Sequence, residues 1–253
     1  MPAPAVALAQ TAAHVVAATA DGSVFWFDRE NGTVAGQMHA GGRLVAGAST
    51  RQGHVVVLAA DGKLIGVNTH PQLLTVISVM PGANCVALAD DGRTLVATPG
   101  RLSELDPSGR VLGNAKSPPL NALAWHATEG WFAAGGCKVQ RYNSGRLKGW
   151  VKLPDDQNAT HLAAGQAGVG VGTGAYFWLC QLADPPDPLL RVNYMKRLVT
   201  GISFGPQRWI GLSLNGGDGN KIDYVTGATN RSDTHPGRKH NSWLLTIWTP
   251  KQK

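Results

Sequence analysis

The sequence predicts an all-β chain folded as a ring of six small antiparallel sheets, and three observations predict it. A hairpin-like stretch, His14 to Asp28 (HVVAATADGSVFWFD), returns as HVVVLAADGKLIGV from His54 to Val67, with Asp61 falling 40 positions after Asp21. The 253 residues include 32 Gly and 15 Pro and show little long helical periodicity, which favours many short strands joined by tight turns. Hydrophobic residues make up 43% of the chain and charged ones 15%, a balance that supplies a core and argues against disorder.

Each repeat parses as four strands, a to d from the centre outwards. In the first, Ala5 to Ala9, His14 to Ala18, Ser23 to Asp28 and Thr33 to His39 alternate apolar with small or polar residues, and Asn31-Gly32 turns c into d. Asp21-Gly22, between b and c, suits a two-residue type I′ turn with positive φ at both centres. The second repeat takes Arg43 to Ala48, His54 to Ala59, Lys63 to Val67 and Gln72 to Val79. The third takes Asn84 to Leu88, Thr94 to Ala97, Arg101 to Leu105 and Arg110 to Leu112, with turns at Asp91-Gly92 and Asp106-Pro107-Ser108-Gly109. In the fourth, Asn121 to Trp125, Trp131 to Ala134, Lys138 to Tyr142 and Leu147 to Val151 are joined at Glu129-Gly130, Gly135-Gly136 and Ser144-Gly145. The fifth runs through Thr160 to Ala164, Val169 to Gly172, Tyr176 to Cys180 and Leu189 to Tyr194. The sixth has Gly201 to Phe204, Trp209 to Leu214, Lys221 to Val225 and, after an insertion, Trp243 to Trp248.

Four short strands about every 40 residues are the signature of a propeller blade, whose two apolar faces need a neighbour on each side. The expected architecture is therefore a single β-propeller, with blades at about 5–42, 43–83, 84–120, 121–159, 160–199 and 200–253. A β-sandwich is the rival fold, but it gives no reason for the repeat. In such meanders the a-to-b and c-to-d loops emerge on one face of the ring, and the b-to-c and d-to-a loops on the other. The glycine-rich run Gly168 to Gly174 lacks the Lys-Ser/Thr of a phosphate loop and reads as a strand where neighbouring side chains leave little room.

On these residues the chain resembles the WD40-like β-propellers. Val24-Phe25-Trp26-Phe27-Asp28 is similar to the end of strand c where that family carries its Trp-Asp dipeptide, and the turns at Asp21-Gly22 and Asp61-Gly62 fit its blade layout. The chain has no adjacent Trp-Asp pair and no Gly-His dipeptide ahead of the blades. The resemblance implies a scaffold that binds partners through its faces and rims.

The charge is uneven. Residues 1–189 hold 13 basic and 13 acidic side chains, whereas 190–253 hold 10 basic and 3 acidic ones, so the whole excess of +7 lies in the last quarter. There the c-to-d connection of the sixth repeat, Gly227 to Ser242, far exceeds a usual hairpin loop and carries Arg231, His235, Arg238, Lys239 and His240 against Asp233. With Arg191, Lys196, Arg197 and Arg208, it would make one side of the ring basic if these residues share a face. Arg231, His235, Arg238, Lys239, His240, Arg208, Arg197 and Lys196 are thus the candidate contacts for a partner protein with an acidic surface. Binding of nucleic acid or phosphate through the same residues is the alternative, and a solvated loop covering the last blade is the plain structural reading. Trp209, Trp243 and Trp248 read as blade packing.

No cofactor, metal site or catalytic constellation is expected. Paired acids, a nucleophile elbow and a dinucleotide fingerprint are all missing from suitable contexts, and His235, His240 and Asp233 match no standard zinc spacing. An enzyme working at the mouth of the central channel is the second alternative, which titratable groups converging there would favour. His14 and His54 head strand b in successive repeats and read as structural. Cys85, Cys137 and Cys180, three in number and without C-x-x-C spacing, are expected as buried free thiols. No stretch approaches the length of a membrane span, and a soluble, cytoplasmic protein is the expectation.

Overall fold

In the computed structural model the chain is a β-propeller built from four-stranded meanders. The structure describes residues 3, 5–11, 13–50, 52–68, 74–182, 188–193, 198–204, 209–215, 221–226 and 247–248. The first sheet comprises β1 (Ala5–Gln10), β2 (His14–Thr19), β3 (Ser23–Asp28) and β4 (Val34–His39), and the second β5 (Leu44–Ser49), β6 (Val55–Ala59), β7 (Lys63–Val67) and β8 (Leu74–Val79). The third holds β9 (Cys85–Leu88), β10 (Thr94–Thr98), β11 (Arg101–Leu105) and β12 (Val111–Lys116), and the fourth β13 (Ala122–His126), β14 (Gly130–Gly135), β15 (Lys138–Asn143) and β16 (Arg146–Lys152). β17 (His161–Gly165), β18 (Gly168–Thr173), β19 (Tyr176–Cys180) and β20 (Pro188–Asn193) form the fifth, and β21 (Leu198–Phe204), β22 (Trp209–Asn215), β23 (Lys221–Thr226) and β24 (Ile247–Trp248) the sixth. Every sheet consists of four consecutive strands, so the first and last sheets exchange none. Of the expected outer strand Trp243 to Trp248, only Ile247–Trp248 falls within the described residues.

Alternation of side chains explains the stacking. In β6 all five residues are buried, because Val55, Val57 and Ala59 enter a core shared with the first sheet while Val56 and Leu58 enter one shared with the third. Comparable cores join the third sheet to the fourth around Leu95, Leu102 and Trp131, the fourth to the fifth around Phe132 and Val171, and the fifth to the sixth around Phe177 and Ile210. Among the described residues no core joins the sixth sheet to the first. The far side of the first sheet instead shows Leu8, 63% exposed, beside the half-buried, stacked pair Phe25 and Phe27.

The inner strands come close because their residues are small. A side chain at Gly47 would strike Ala7 and the Val6 carbonyl, so Gly at this point sets how near β5 can approach β1. The glycine run in β18 works the same way: Val169 and Val171 fill the core with the fourth sheet, while a Cβ on Gly170 or Gly172 would press on Ile202 or Val199 of β21. Polar latches add to this packing. Asn84 Nδ2 donates to the Leu120 carbonyl at 2.8 Å and Asn121 Nδ2 to that of Ala159 at 2.9 Å, each tying the start of an inner strand to the loop that begins the next sheet.

The Asp-Gly turns differ from expectation. Gly22 has φ +96°, yet Asp21 keeps an ordinary negative φ, and the turn closes with the Gly22 N–H on the Thr19 carbonyl at 2.9 Å. Asp contributes its side chain rather than a left-handed backbone: Asp21 Oδ1 accepts from the Ser23 N–H at 3.1 Å, as Asp61 does from Lys63 and Asp91 from Arg93. Both centres have positive φ at Ser144-Gly145, which is where the type I′ hairpin occurs. No disulfide joins the three cysteines; Cys85 and Cys180 are buried but Cys137 is only half-buried, because it lies in the tight turn after β14.

Candidate functional site

The a-to-b and c-to-d loops share one face of the propeller, and on that face two adjoining pockets at the fourth sheet, one on each side of it, make up a groove. Its inner end lies between Arg93 and Glu104 of the third sheet and Trp125, Trp131 and Tyr142 of the fourth; its outer end follows β16 past Arg146 and Lys148 to Trp150. The outer part has a volume of about 370 Å³ and the inner part about 260 Å³, and Glu129, Tyr142 and Asn143 line both. Register places these groups. Trp125 pairs with Trp131 and Trp131 with Tyr142, so all three point to the third sheet, whereas Phe132, Arg141 and Lys148 form the adjoining row on the opposite side.

At the inner end, Glu104 is 6% exposed and its Oε1 accepts from Arg93 Nη1 at 2.7 Å and Trp131 Nε1 at 3.0 Å. Arg93 also holds Asp91 at 2.7 Å and lies 5.2 Å from the centre of the Trp125 ring, which meets Trp131 edge-on at 4.6 Å. A buried carboxylate is tolerable there because a cation and a charge-assisted hydrogen bond answer it. At the outer end Arg141 pairs with Glu129 and lies 5.7 Å from the Phe132 ring centre, against which Trp150 packs at 4.8 Å.

Three buried donors around this groove, closed off from its surface, have no acceptor: Trp125 Nε1 and Tyr142 Oη on the third-sheet side and Trp150 Nε1 on the fifth-sheet side. Tyr142 is 2% exposed; burial first and the charge of Glu104 second push its pKa up, and although the Gly145 N–H leans on its oxygen, its own proton is unpaired. Each buried donor left without a partner costs about 1–3 kcal/mol, so three around one groove are a marked departure from ordinary packing. By contrast, the indoles of Trp26 and Trp178 are paired, with the Asn68 carbonyl at 2.9 Å and with Gln157 Oε1 at 2.7 Å. Arg146 and Lys148, exposed on the outer strand, have no acidic partner among the described residues.

The candidate contacts Lys196, Arg197, Arg208, Arg231, His235, Arg238, Lys239 and His240 lie outside the described residues, as do Asp233 and Trp243. Arg191 is described: it stands opposite Trp178, with its guanidinium 4.5 Å from the Tyr176 ring centre and 5.1 Å from that of Trp178. His14 and His54 act through their backbones, each exchanging hydrogen bonds with a preceding threonine, Thr11 or Thr50. Among the described residues no three His, Cys, Asp or Glu side chains are grouped to hold a metal, and no helix is long and apolar enough to cross a membrane.

Sequence reasoning missed the groove because its residues come from seven strands and turns. The available signal was the fourth repeat's share of indoles, Trp125, Trp131 and Trp150 out of eight in the chain. No protein-family model matches the chain, and no curated protein matches it.

Proposed function

We propose that this propeller is a non-catalytic scaffold that presents the face of its a-to-b and c-to-d loops to a partner protein. The observation that carries the reading is the groove across the fourth sheet, where aromatic rings and paired and unpaired charges are held largely on strands rather than on loose loops. Rigid display of this kind costs little ordering entropy when a partner docks. The inner strands support the same reading: β1, β5, β9, β13, β17 and β21 are dominated by Ala, Val, Leu and Gly, and their ionisable side chains are Cys85, His126 and His161. An enzyme acting at the channel mouth would need a denser set.

The proposed role of the basic segment 227–246 and of Arg208 is to flank the contact and favour a partner with an acidic surface. Affinity purification of the full chain at native expression tests the scaffold reading: a partner should co-elute in stoichiometric amount and survive a moderate salt wash, and a chain that elutes alone removes the reading. In the Arg238→Glu, Lys239→Glu variant recovery should fall; unchanged recovery takes that segment out of the contact. The excess of 10 basic over 3 acidic residues after position 189 favours nucleic acid as the second reading. Binding to mixed oligonucleotides that weakens steeply with salt would support it, and no binding at low salt would dispose of it.

A further inference from the structure

We infer that the far side of the first sheet is a second partner-binding surface, and that its occupant is an apolar β-sheet of the partner, seated there as one blade seats on the next. The assignment rests on the scaffold reading and adds to it a contact separate from the groove. Register shows what this side is built to receive. Leu8 stands opposite Ala17, and Ala17 opposite Phe25. The residues that take the place of Leu8 in the third to sixth sheets are Val86, Leu123, Leu162 and Ile202, and each packs into the core shared with the preceding sheet. Those that take the place of Phe27 in the second to fifth sheets are Val67, Leu105, Tyr142 and Cys180, all buried in the same series of cores. In the first sheet the corresponding side chains lie open. Leu8 is 63% exposed, Phe25 and Phe27 stack at 5.9 Å and are half-buried, and Val34, opposite Phe27 on β4, is 56% exposed.

The five sheet-to-sheet cores form one continuous series, and this side is where the series stops. β5, β9, β13, β17 and β21 each run against the inner strand of the sheet before, whereas among the described residues β21 does not run against β1 in this way. What continues the series shares the properties of the existing interfaces. It is a sheet, because a sheet covers every other such row in the chain. It is apolar, because the row from Leu8 through Ala17, Phe25 and Phe27 to Val34 holds no Lys, Arg, Asp or Glu, and so nothing that would answer the phosphates of a nucleic acid. It carries Gly or Ala opposite Leu8, because a bulky residue at that position meets a small one: Ile202 lies where a Cβ on Gly170 would press.

The test uses the full chain at native expression with Leu8→p-benzoylphenylalanine, which places a photoreactive side chain on this surface. Irradiation should join it to another protein, and the joined peptide, read by mass spectrometry, should be a strand of alternating apolar residues that includes Gly or Ala. Leu8→Arg and Val34→Arg should each cut co-elution of that protein by about tenfold or more. Both should leave the thermal midpoint of the isolated chain unchanged, because both side chains are exposed. The assignment is overturned if the photoproduct lies in the chain's own sixth sheet, which would then close the ring, if it joins two copies of the chain, if the joined peptide is charged or helical, if no product forms, or if the captured protein co-elutes equally with both Arg variants. In that last case this surface alone is excluded and the scaffold reading stands; if no protein co-elutes with the wild type, the scaffold reading itself falls.

Discussion

Trp131 donates its indole N–H to Glu104 at 3.0 Å, across the boundary between the third and fourth sheets. The same carboxylate oxygen takes Arg93, so one acceptor fastens two sheets and also forms the inner wall of the groove. Glu104→Ala should therefore destabilise the fold by about 1–3 kcal/mol, since it leaves the Trp131 indole N–H without an acceptor and takes from Arg93 one of its two carboxylates, Asp91 remaining. Glu104→Gln keeps an acceptor for Trp131 and should cost less. Urea unfolding of the two variants checks the order, and equal losses would mean that the charge, rather than the indole bond, holds the sheets.

Replacing Gly47 by Val tests how the centre is packed. The new side chain would meet Ala7 and the Val6 and Val56 carbonyls, backbone atoms that cannot swing aside, so a loss of about 1–3 kcal/mol or more is expected. Leu8→Ser, one residue from Ala7 but on the exposed far side of the first sheet, should stay within about 0.5 kcal/mol. A large loss at Leu8 would show that the far side is covered in solution.

Burial pushes the Cys85 thiol up to about 12 from 9.0. Its folded state therefore holds the proton at pH values where the unfolded chain releases it, and the stabilisation present below pH 9 is lost as pH rises towards 12. Through that window the thiol should lower unfolding free energy by about 1.4 kcal/mol per pH unit. Denaturation series between pH 8 and 11 should give Cys85→Ala a slope shallower by about one proton than the wild type's. In the native state at pH 8, a thiol reagent should modify Cys137 well before Cys85 or Cys180.

Hydrogen bonding at the turns holds several carboxylates below the usual range: Asp21 through Thr19 and Ser23, Asp61 through Lys63, and Asp106 through Ser108 and Arg110. Their folded pKa values being depressed, the stability they add is present above the ordinary carboxylate value and is lost as pH falls through the folded one. Asp21→Asn with Asp61→Asn should keep the turn acceptors but flatten the fall of the thermal midpoint below pH 4. An unchanged acid limb would place the sensitivity elsewhere.

Much of the fold is legible in the sequence because a blade is a local object. Alternation marks the strands, Gly-containing pairs mark the turns, and Ser23–Asp28, Lys63–Val67, Arg101–Leu105 and Tyr176–Cys180 have the bounds that those signals give. Turn type is less legible: whether Asp21 bends its own backbone or lends an oxygen to Ser23 depends on competition between two low-energy arrangements, and the side-chain bond prevails. The groove is not legible at all. Glu104, Trp131 and Tyr142 meet only through the register of β11, β14 and β15, and a donor such as Tyr142 Oη counts as unpaired only once every neighbour is in place.

That every sheet is made from four successive strands bears on how the protein is born. Contacts within a blade close over a few dozen residues, so each can assemble as it leaves the ribosome, without waiting for the chain's far end. Until its successor arrives, each newest blade shows one wet apolar wall, and that sticky surface moves forward one blade at a time. Slow translation within a blade should therefore be tolerated less well than a pause between blades.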